Sequence, residues 1–259
     1  MRRILIDGGG YAGFYTAWKL EKRLRQGEAE VILVDPLPYM TYQPFLPEVA
    51  AGSVDPRHAV VPYRRHLKRT RIIAGRVNNI NHATKSVTIR SNVGTDETIE
   101  YDLIAVTAGA VSRTFPIPGV ADQAIGLKNI EEAIEIRDRV LINFDTASQL
   151  PAGPQRSRML SFVVVGGGYA GVEVFAELRS LATSLLKVYP ELTSADVRFD
   201  LIEVSPRIMP EVSQQTSEWV IKNLAGRGAR VHLDTALVSA VDGRVELSTG
   251  ERFESDTII

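Results

Sequence analysis

Apolar positions along the chain fall into short blocks separated by glycine, proline and charge, and their spacing predicts alternating strands and helices. Ile4–Ile6 is an apolar run that stops at glycine, the pattern of a strand buried on both faces. Tyr11–Arg25 then repeats apolar residues at helical spacing (Phe14, Ala17, Trp18, Leu20, Leu24), and Val31–Val34 is a second run closed by Asp35-Pro36. Strand, helix and strand in that order make a βαβ unit. The stretch Asp35–Asp55, rich in proline and aromatics, reads as loop, and Arg57–Lys68 as a helix. Arg71–Glu100 carries short alternating runs broken by Asn78-Asn79, Asn92 and Gly94, and predicts an antiparallel meander or a crossover of strands. Asp102–Val106 is another buried strand. Ser112–Gly119, with Pro116, Pro118 and Gly119, reads as a hinge or linker.

The pattern then restarts. Asn129–Phe144 predicts a helix, Leu150–Ser161 is polar, and Phe162–Val165 is a strand. Val172–Leu186 is helical, Asp196–Val204 a strand, Gln214–Leu224 a helix and Arg230–Leu233 a strand. Ala236–Phe253 reads as a hairpin, and Asp256–Ile259 opens a further strand. This order predicts an α/β fold of two Rossmann-like dinucleotide-binding domains, divided at 1–115 and 116–259.

The restart is literal. The string Gly-Gly-Gly-Tyr-Ala-Gly occurs at Gly8–Gly13 and again at Gly166–Gly171. Each copy fits G-x-G-x-x-G: Gly8, Gly10 and Gly13, then Gly166, Gly168 and Gly171. In such a loop the first glycine permits a tight turn, the second lets a pyrophosphate approach the backbone, and the third lets helix and strand pack closely. The helix start offers N–H groups and a positive dipole end to the anion. One such motif is weak, because a strand-to-helix turn uses glycine without any ligand. Here both copies follow an apolar strand, open a helix and have an acidic residue after the next strand, Asp35 and Glu203. The longer gap before Glu203 assigns extra loop to Lys187–Ala195, where Pro190 stops the helix. A carboxylate at this place accepts hydrogen bonds from ribose hydroxyls and repels a 2′-phosphate, so Glu203 favours NAD over NADP. Arg207 weakens that preference if it reaches the ribose, although a solvated loop arginine is the simpler reading. Two dinucleotide sites in one chain suggest a hydride relay, in which the protein chiefly positions the nucleotides.

Composition narrows the chemistry. The chain of 259 residues has a formal net charge of −1, which gives no footprint for nucleic acid. It has no cysteine, which excludes a thiolate metal site and redox chemistry through a cysteine pair within this sequence. His58, His66, His82 and His232 show no metal-ligand spacing, so no metal site is expected. No G-K-[ST] ending makes either loop a P-loop. Met1-Arg2-Arg3 precedes too few apolar residues for a signal peptide, and no apolar run reaches the roughly 18 residues of a membrane span. The expectation is a soluble, cytoplasmic chain. The basic run Arg64–Arg71 reads as a solvated helix face before it reads as a lipid contact. Trp18 and Trp219 read as core or interface residues.

With these residues in hand, the chain resembles the two-dinucleotide flavoprotein reductases (FAD/NAD(P)-binding, glutathione-reductase-like), and more narrowly the type II NADH dehydrogenases, the single-subunit NADH:quinone oxidoreductases. The likeness runs through essentially the whole sequence. "TYQPFLPEVAAGSVDP" (Thr41–Pro56) is similar to the segment beside the flavin ring, which implies that Pro44, Phe45 and Leu46 lie there. "YDLIAVTAGA" (Tyr101–Ala110) resembles the strand that returns under the FAD, implying contacts from Thr107, Ala108 and Gly109. "GRVNNIN" (Gly75–Asn81) resembles the segment whose valine, here Val77, meets the adenine. "GLKNIEEAIEIRDRV" (Gly126–Val140) resembles the helix that opens the NADH domain. "GGGYAGVEVFAEL" (Gly166–Leu178) resembles the family's second nucleotide loop and its helix, and places Glu173 near the nicotinamide, where it organises hydride transfer; a helix-start carboxylate favoured by the dipole is the structural alternative.

The resemblance implies FAD on the first loop (Gly8, Gly10, Tyr11, Ala12, Gly13, with Asp35) and NAD(H) on the second (Gly166, Gly168, Tyr169, Ala170, Gly171, with Glu203). Tyr11 and Tyr169 read first as packing residues at their helix starts. It implies a NADH domain inserted in the FAD domain, and NADH and quinone as partners. Peripheral contact with the inner face of the cell membrane would come through a C-terminal part beyond this sequence; a homodimer stays open. It further implies a truncated chain, without the segment that completes the FAD domain, which binds FAD weakly or not at all. Departures are Asp7 in a usually apolar or small position, Phe45 and Pro47 near the flavin, and Thr107-Ala108-Gly109 in place of Ala-Thr-Gly. Buried beside a pyrophosphate, Asp7 is unfavourable unless paired or turned outward. Two further functions stay open: an NADH-dependent ferredoxin- or rubredoxin-type reductase, separated by its electron acceptor, and a non-enzymatic NAD(H)-binding module, separated by the absence of flavin absorbance.

Overall fold

A computed structural model describes residues 1–112 and 114–259. The predicted linker Ser112–Gly119 contains Arg113, which lies outside the described residues. The chain divides into two compact units, one of Met1–Tyr42 with Val60–Val111, the other of Gln43–Ala59 with Ser112–Ile259.

In the first unit, β1 (Arg2–Asp7), α1 (Tyr11–Arg23) and β2 (Ala29–Asp35) form the expected βαβ unit, with β1 and β2 parallel. A small pair, β3 (Tyr39–Thr41) and β4 (Val60–Pro62), is antiparallel; the second unit's α2 (Leu46–Ala50) falls between them in sequence. Next come the single-turn α3 (Tyr63–His66), β5 (Arg71–Asn81), β6 (Ser86–Ser91), β7 (Asp96–Glu100) and β8 (Leu103–Val106). The six-stranded sheet has the order β7-β6-β5-β2-β1-β8. The meander is antiparallel as predicted, but β5 has two senses. Arg71–Ala74 pairs parallel with β2, and Gly75–Asn81 pairs antiparallel with β6.

Alternation along β1 and β2 divides their side chains between two packed layers. Ile6, Val31 and Leu33 pack with Phe14, Ala17 and Tyr63, while Leu5, Ile32 and Val34 pack with Val87, Ile89 and Ile99 of the meander. Trp18 packs against the first layer. At the sheet edge, Leu103 and Val106 of β8 are 58% and 61% exposed.

The helix expected over Arg57–Lys68 is not formed. Pro56–Ala59 is a 3₁₀ turn, β4 follows, and α3 lasts one turn. Pro62 at its fixed φ and the extended residue Leu67 bound that turn. The basic run is therefore not one helix face. Its backbone is gathered instead by Glu21 of α1, which accepts the N–H groups of Lys68, Arg69 and Thr70 and the Thr70 hydroxyl, at 2.7–3.1 Å. Burial opposes ionisation of Glu21, but the Thr70 hydroxyl and these N–H groups outweigh it and hold the carboxyl below its ordinary value of 4.5. A depressed carboxyl contributes stability that is present above 4.5 and lost as pH falls through the lower folded value. Glu21→Ala is expected to destabilise the chain by about 2 kcal/mol at neutral pH and by less in acid, read from urea melts at both.

The second unit repeats the plan. Besides α2 it holds α4 (Val120–Gln123), α5 (Ile130–Ser148), α6 (Pro154–Met159), β9 (Ser161–Val165), α7 (Tyr169–Leu185), β10 (Arg198–Ile202), α8 (Gln214–Gly226) and β11 (Arg230–His232). β12 (Leu237–Ser239), β13 (Arg244–Leu247), β14 (Arg252–Glu254) and β15 (Thr257–Ile258) follow. The parallel sheet runs β11-β10-β9-β15, and β12-β13-β14 is a separate antiparallel sheet in place of a simple hairpin. Val163 and Ile202 of the parallel sheet pack with Leu237, Ala240 and Val245, so the two sheets share a core. Asn129 starts α5 with a capping box, accepting the Glu132 N–H while Glu132 accepts its own. The polar stretch Leu150–Ser161 contains α6. Asp35–Asp55 likewise contains β3, a 3₁₀ turn at Gln43–Phe45 and α2. Trp219 on α8 is 65% exposed, which removes it from the core. No helix among the described residues is long and apolar enough to cross a membrane.

Candidate nucleotide-binding sites

The two glycine loops fold as the same device. Each leaves the parallel strand through a glycine with positive φ, +95° at Gly8 and +115° at Gly166, a conformation L side chains rarely adopt. Each then opens a helix: the first intrahelical bonds run from Phe14 N–H to Gly10 and from Val172 N–H to Gly168. Both helices begin at a cap glycine, which has no side chain to cover the N–H groups of the first turn.

The acidic residues lock these loops. Asp35 Oδ2 accepts the Gly9 N–H at 2.6 Å and its Oδ1 the Leu37 N–H at 2.8 Å. Glu203 Oε2 accepts the Gly167 N–H at 2.6 Å and its Oε1 the Ser205 N–H at 2.7 Å. A carboxylate has about four lone-pair directions, so each acid retains capacity for ribose hydroxyls. Burial opposes ionisation of Glu203, but the N–H groups of Ser205 and Gly167 hold its carboxyl below the ordinary range. It is a fixed anion near neutral pH.

The glycines divide by what a side chain would meet. A Cβ on Gly13 would lie 1.8 Å from Gly8 O, and one on Gly171 would lie 1.9 Å from Gly166 O. These glycines serve close packing of helix on strand. A Cβ on Gly10 or Gly168 meets nothing within 4 Å, and their φ values, −63° and −71°, suit any residue. Neither the backbone nor the surrounding protein requires glycine there. The open space beside them would admit a pyrophosphate at the helix start in both loops.

Gly9 and Gly167 are functional positions that the G-x-G-x-x-G template passed over, since both fall at its first x. Their N–H groups hold the acids, and a Cβ would strike Tyr63 Oη at 2.1 Å in one and Ile208 Cγ2 at 2.6 Å in the other. The signal was in the sequence: a run of three glycines in both copies. Tyr63 was also missed. It is buried and donates to Gly9 O at 3.0 Å; burial and the neighbouring Asp35 push its phenol well above the ordinary range, so it stays a donor.

The other predicted residues are placed as follows. Thr107 Oγ1 donates to Asp7 O and Gly8 O, pinning the first turn to the end of β8, and Ala108 and Gly109 continue from it. Val77 is half-buried on β5 at a register shift. Tyr11 tilts against Tyr42 with centroids 5.9 Å apart, while Tyr169 is exposed; Ala12 and Ala170 lie in the first turns of α1 and α7. Pro44, Phe45 and Leu46 belong to the second unit, with Phe45 exposed and Leu46 buried at the start of α2. Glu173 is exposed on the second turn of α7. Burial of its carboxyl, then the charge of Glu48, push it above the ordinary range.

Asp7 is half-buried, and burial followed by the charge of Asp35 push its carboxyl upward. Arg207 is not a solvated arginine: its Nη2 donates to the carbonyls of Met209, Pro210 and Val212 of its own loop. That loop docks on the nucleotide turn through the Met209 N–H to Gly167 O bond, 2.7 Å. Among the described residues no group of three or more potential ligands gathers to hold a metal, and His232 is engaged by Asp200 at 2.7 Å.

Comparison with known proteins shows the family and the fold. The profile of a family described as pyridine nucleotide-disulphide oxidoreductase matches residues 2–259. A curated relative from Arabidopsis thaliana, external alternative NAD(P)H-ubiquinone oxidoreductase B3, is 31% identical over 96% of this chain and 44% of its own length. A type II NADH:quinone oxidoreductase of Mycobacterium tuberculosis is 29% identical over 93% of this chain and 51% of its own length. Among solved structures, NDH2 from Plasmodium falciparum in complex with NADH superposes with a TM-score of 0.92 at 21% identity, covering 100% of this chain and 54% of that one. The chain spans about half the length of the curated relatives it matches.

Proposed function

The chain belongs to the pyridine nucleotide-disulphide oxidoreductase family, and from that premise we propose that it is the two-nucleotide part of an FAD-dependent NADH:quinone oxidoreductase. FAD is assigned to the first loop and NADH to the second. The observation that carries the reading is the duplicated device: an acid locked to the glycine turn and a cap glycine, Gly10 or Gly168, with open space beside it at the helix start. The names of the relatives support NADH and the quinone, and the order of the two nucleotides is what the family resemblance implies.

Bound at these sites, NADH supplies a hydride and FAD accepts the electrons for a quinone. The residues of this chain bind and orient. The α1 and α7 starts hold the pyrophosphates, Asp35 and Glu203 take the ribose hydroxyls, and Pro44, Phe45, Leu46, Val77, Thr107, Ala108 and Gly109 are assigned to the flavin nucleotide. Tyr11, Ala12, Tyr169 and Ala170 line the two turns. Glu173 is assigned to the nicotinamide side, where it orients and sets charge without needing to move a proton. On this reading the protein is cytoplasmic and meets the inner face of the cell membrane peripherally.

The test is NADH titration followed by flavin reduction. Because this chain alone is expected to hold FAD weakly or not at all, the assay is run at saturating FAD, where bound flavin is expected to bleach on adding NADH and to regain colour with a soluble quinone. Recovery only with an iron–sulfur protein would replace the quinone reading by that of a ferredoxin-type reductase. NADH binding with no flavin retained would favour a nucleotide-binding module. In the same assay, Glu203→Gln removes the charge but keeps one acceptor. It is expected to narrow the preference for NADH over NADPH by about 10-fold, ~1.4 kcal/mol, measured as the ratio of the two dissociation constants.

A further inference from the structure

The peptide groups of the two glycine turns are held in different ways. A trans peptide points its C=O and its N–H in opposite directions, so fixing one aims the other. In the first loop the peptide joining Gly8 to Gly9 is held at both ends. Thr107 Oγ1 lies 2.7 Å from Gly8 O, and Asp35 Oδ2 accepts the Gly9 N–H at 2.6 Å. The next peptide joins Gly9 to Gly10, and Tyr63 Oη donates to its carbonyl, Gly9 O, at 3.0 Å. The other end of that peptide is the N–H of Gly10, an exposed residue at the start of α1.

In the second loop the matching carbonyl, Gly167 O, accepts the backbone N–H of Met209 at 2.7 Å. One peptide is therefore pinned by a side chain and its counterpart by main chain. The Tyr63 hydroxyl has little freedom to leave its place. Its ring is buried with Met40 and Leu67 and stacks on Phe14 with centroids 6.3 Å apart, and its own N–H donates to Pro38 O at 3.0 Å. Gly9 is buried too, and a Cβ there would lie 2.1 Å from Tyr63 Oη, so nothing fits between hydroxyl and turn.

We propose that Tyr63 is a positioning residue for the nucleotide of the first loop: by holding Gly9 O toward the core, its hydroxyl turns the Gly10 N–H outward to meet a phosphate oxygen. Tyr63 acts through the peptide, without touching the nucleotide. Without the hydroxyl, the buried carbonyl loses its donor, and the peptide can rotate toward another one and carry the Gly10 N–H with it. The role in binding rests on the proposed function, but the aim of the peptide does not.

The two can be tested apart. Tyr63→Phe keeps the ring and removes only the hydroxyl. The 259-residue chain labelled with ¹⁵N-glycine is first read by NMR without nucleotide. The Gly10 amide resonance is expected to move in the variant and the Gly168 resonance to stay. FAD and NADH are then titrated separately. FAD binding should weaken by about 10-fold, while NADH binding stays within about 2-fold. Site-specific 4-aminophenylalanine in place of Tyr63 restores a donor and should recover the FAD affinity. A Gly10 amide unmoved by loss of the hydroxyl overturns the positioning role. So does equal weakening of FAD and NADH, which marks general loosening, or a failure of the restored donor to recover binding. If Tyr63→Phe does not fold, the native chain serves: FAD should shift the Gly10 amide more than the Gly9 amide, which Asp35 holds, and the opposite order overturns the proposal. A Gly10 amide that moves in the variant, with no response to FAD in the native chain, would remove the nucleotide from the first loop and leave the aimed peptide standing. FAD binding that ignores the hydroxyl would do the reverse.

Discussion

Gly168→Val is expected to leave the chain folded and to weaken NADH binding by about 100-fold, ~2.7 kcal/mol. The fold should tolerate it because a Cβ at Gly168 meets no atom within 4 Å and the residue's φ of −71° suits valine. The cap preference for glycine is small, about 1 kcal/mol, so the melting temperature should fall by no more than about 4 °C. Binding should not tolerate it, because the valine side chain would fill the space through which a pyrophosphate meets the backbone at the start of α7. Isothermal titration with NADH, beside a thermal melt, reads both. Native affinity in the variant would show that the glycine serves no ligand. Gly10→Val poses the same question to the first loop, with FAD as the probe.

The opposite outcome is expected three residues later. Gly171→Ala adds the same Cβ atom, but places it 1.9 Å from Gly166 O and 3.1 Å from Gly166 C. These are backbone atoms held in the turn by the Gly166 N–H to Ile202 O bond, so no side chain can swing away. Relief requires α7 to lift from β9, and buried Val172, Val174 and Phe175 lift with it. The expected cost is about 3 kcal/mol or more, a fall of about 10 °C in melting temperature. Gly13→Ala should behave alike, with its Cβ 1.8 Å from Gly8 O and 2.7 Å from Thr107 Oγ1. A native-like melt for Gly171→Ala would contradict the close packing. Two glycines that look interchangeable in the motif are thus separable, one answering to a ligand and the other to the fold.

Periodicity made the large elements legible because they bury one face or two. The strand at Ile4–Ile6, the helices α1, α5, α7 and α8, and the meander were all readable from apolar spacing. The short elements were not. The segment Arg57–Lys68 holds only one helical turn, too short for spacing to distinguish from a proline-bounded bend, and a run of basic residues gave it a false helical look. The five residues of α2 fall in a stretch where proline and aromatic content argued for loop. At the sites, the glycine template identified the turns but not their lock, because Gly9 and Gly167 act through backbone N–H groups that carry no side-chain signature. Arg207 was misread for a related reason. Whether an arginine faces solvent, a phosphate or its own carbonyls depends on the path of the loop, and Met209, at a φ of +48°, bends that path back onto Gly167.

The double sense of β5 has a consequence for assembly of the first sheet. The β5–β6 and β6–β7 pairings close over short turns, whereas β1 pairs with β8 across most of the unit's sequence. Loop-closure entropy favours the local pairings first. In the sheet β5 lies between β6 and β2, and β2 ends at Asp35 opposite Ala74, so only Arg71–Ala74 has a parallel partner. Because a slip of one residue along β2 would turn Ile72 and Ile73 to the wrong layers, burial of the sheet's two faces selects the register on which the Asp35 end of β2, and with it the lock on Gly9, depends.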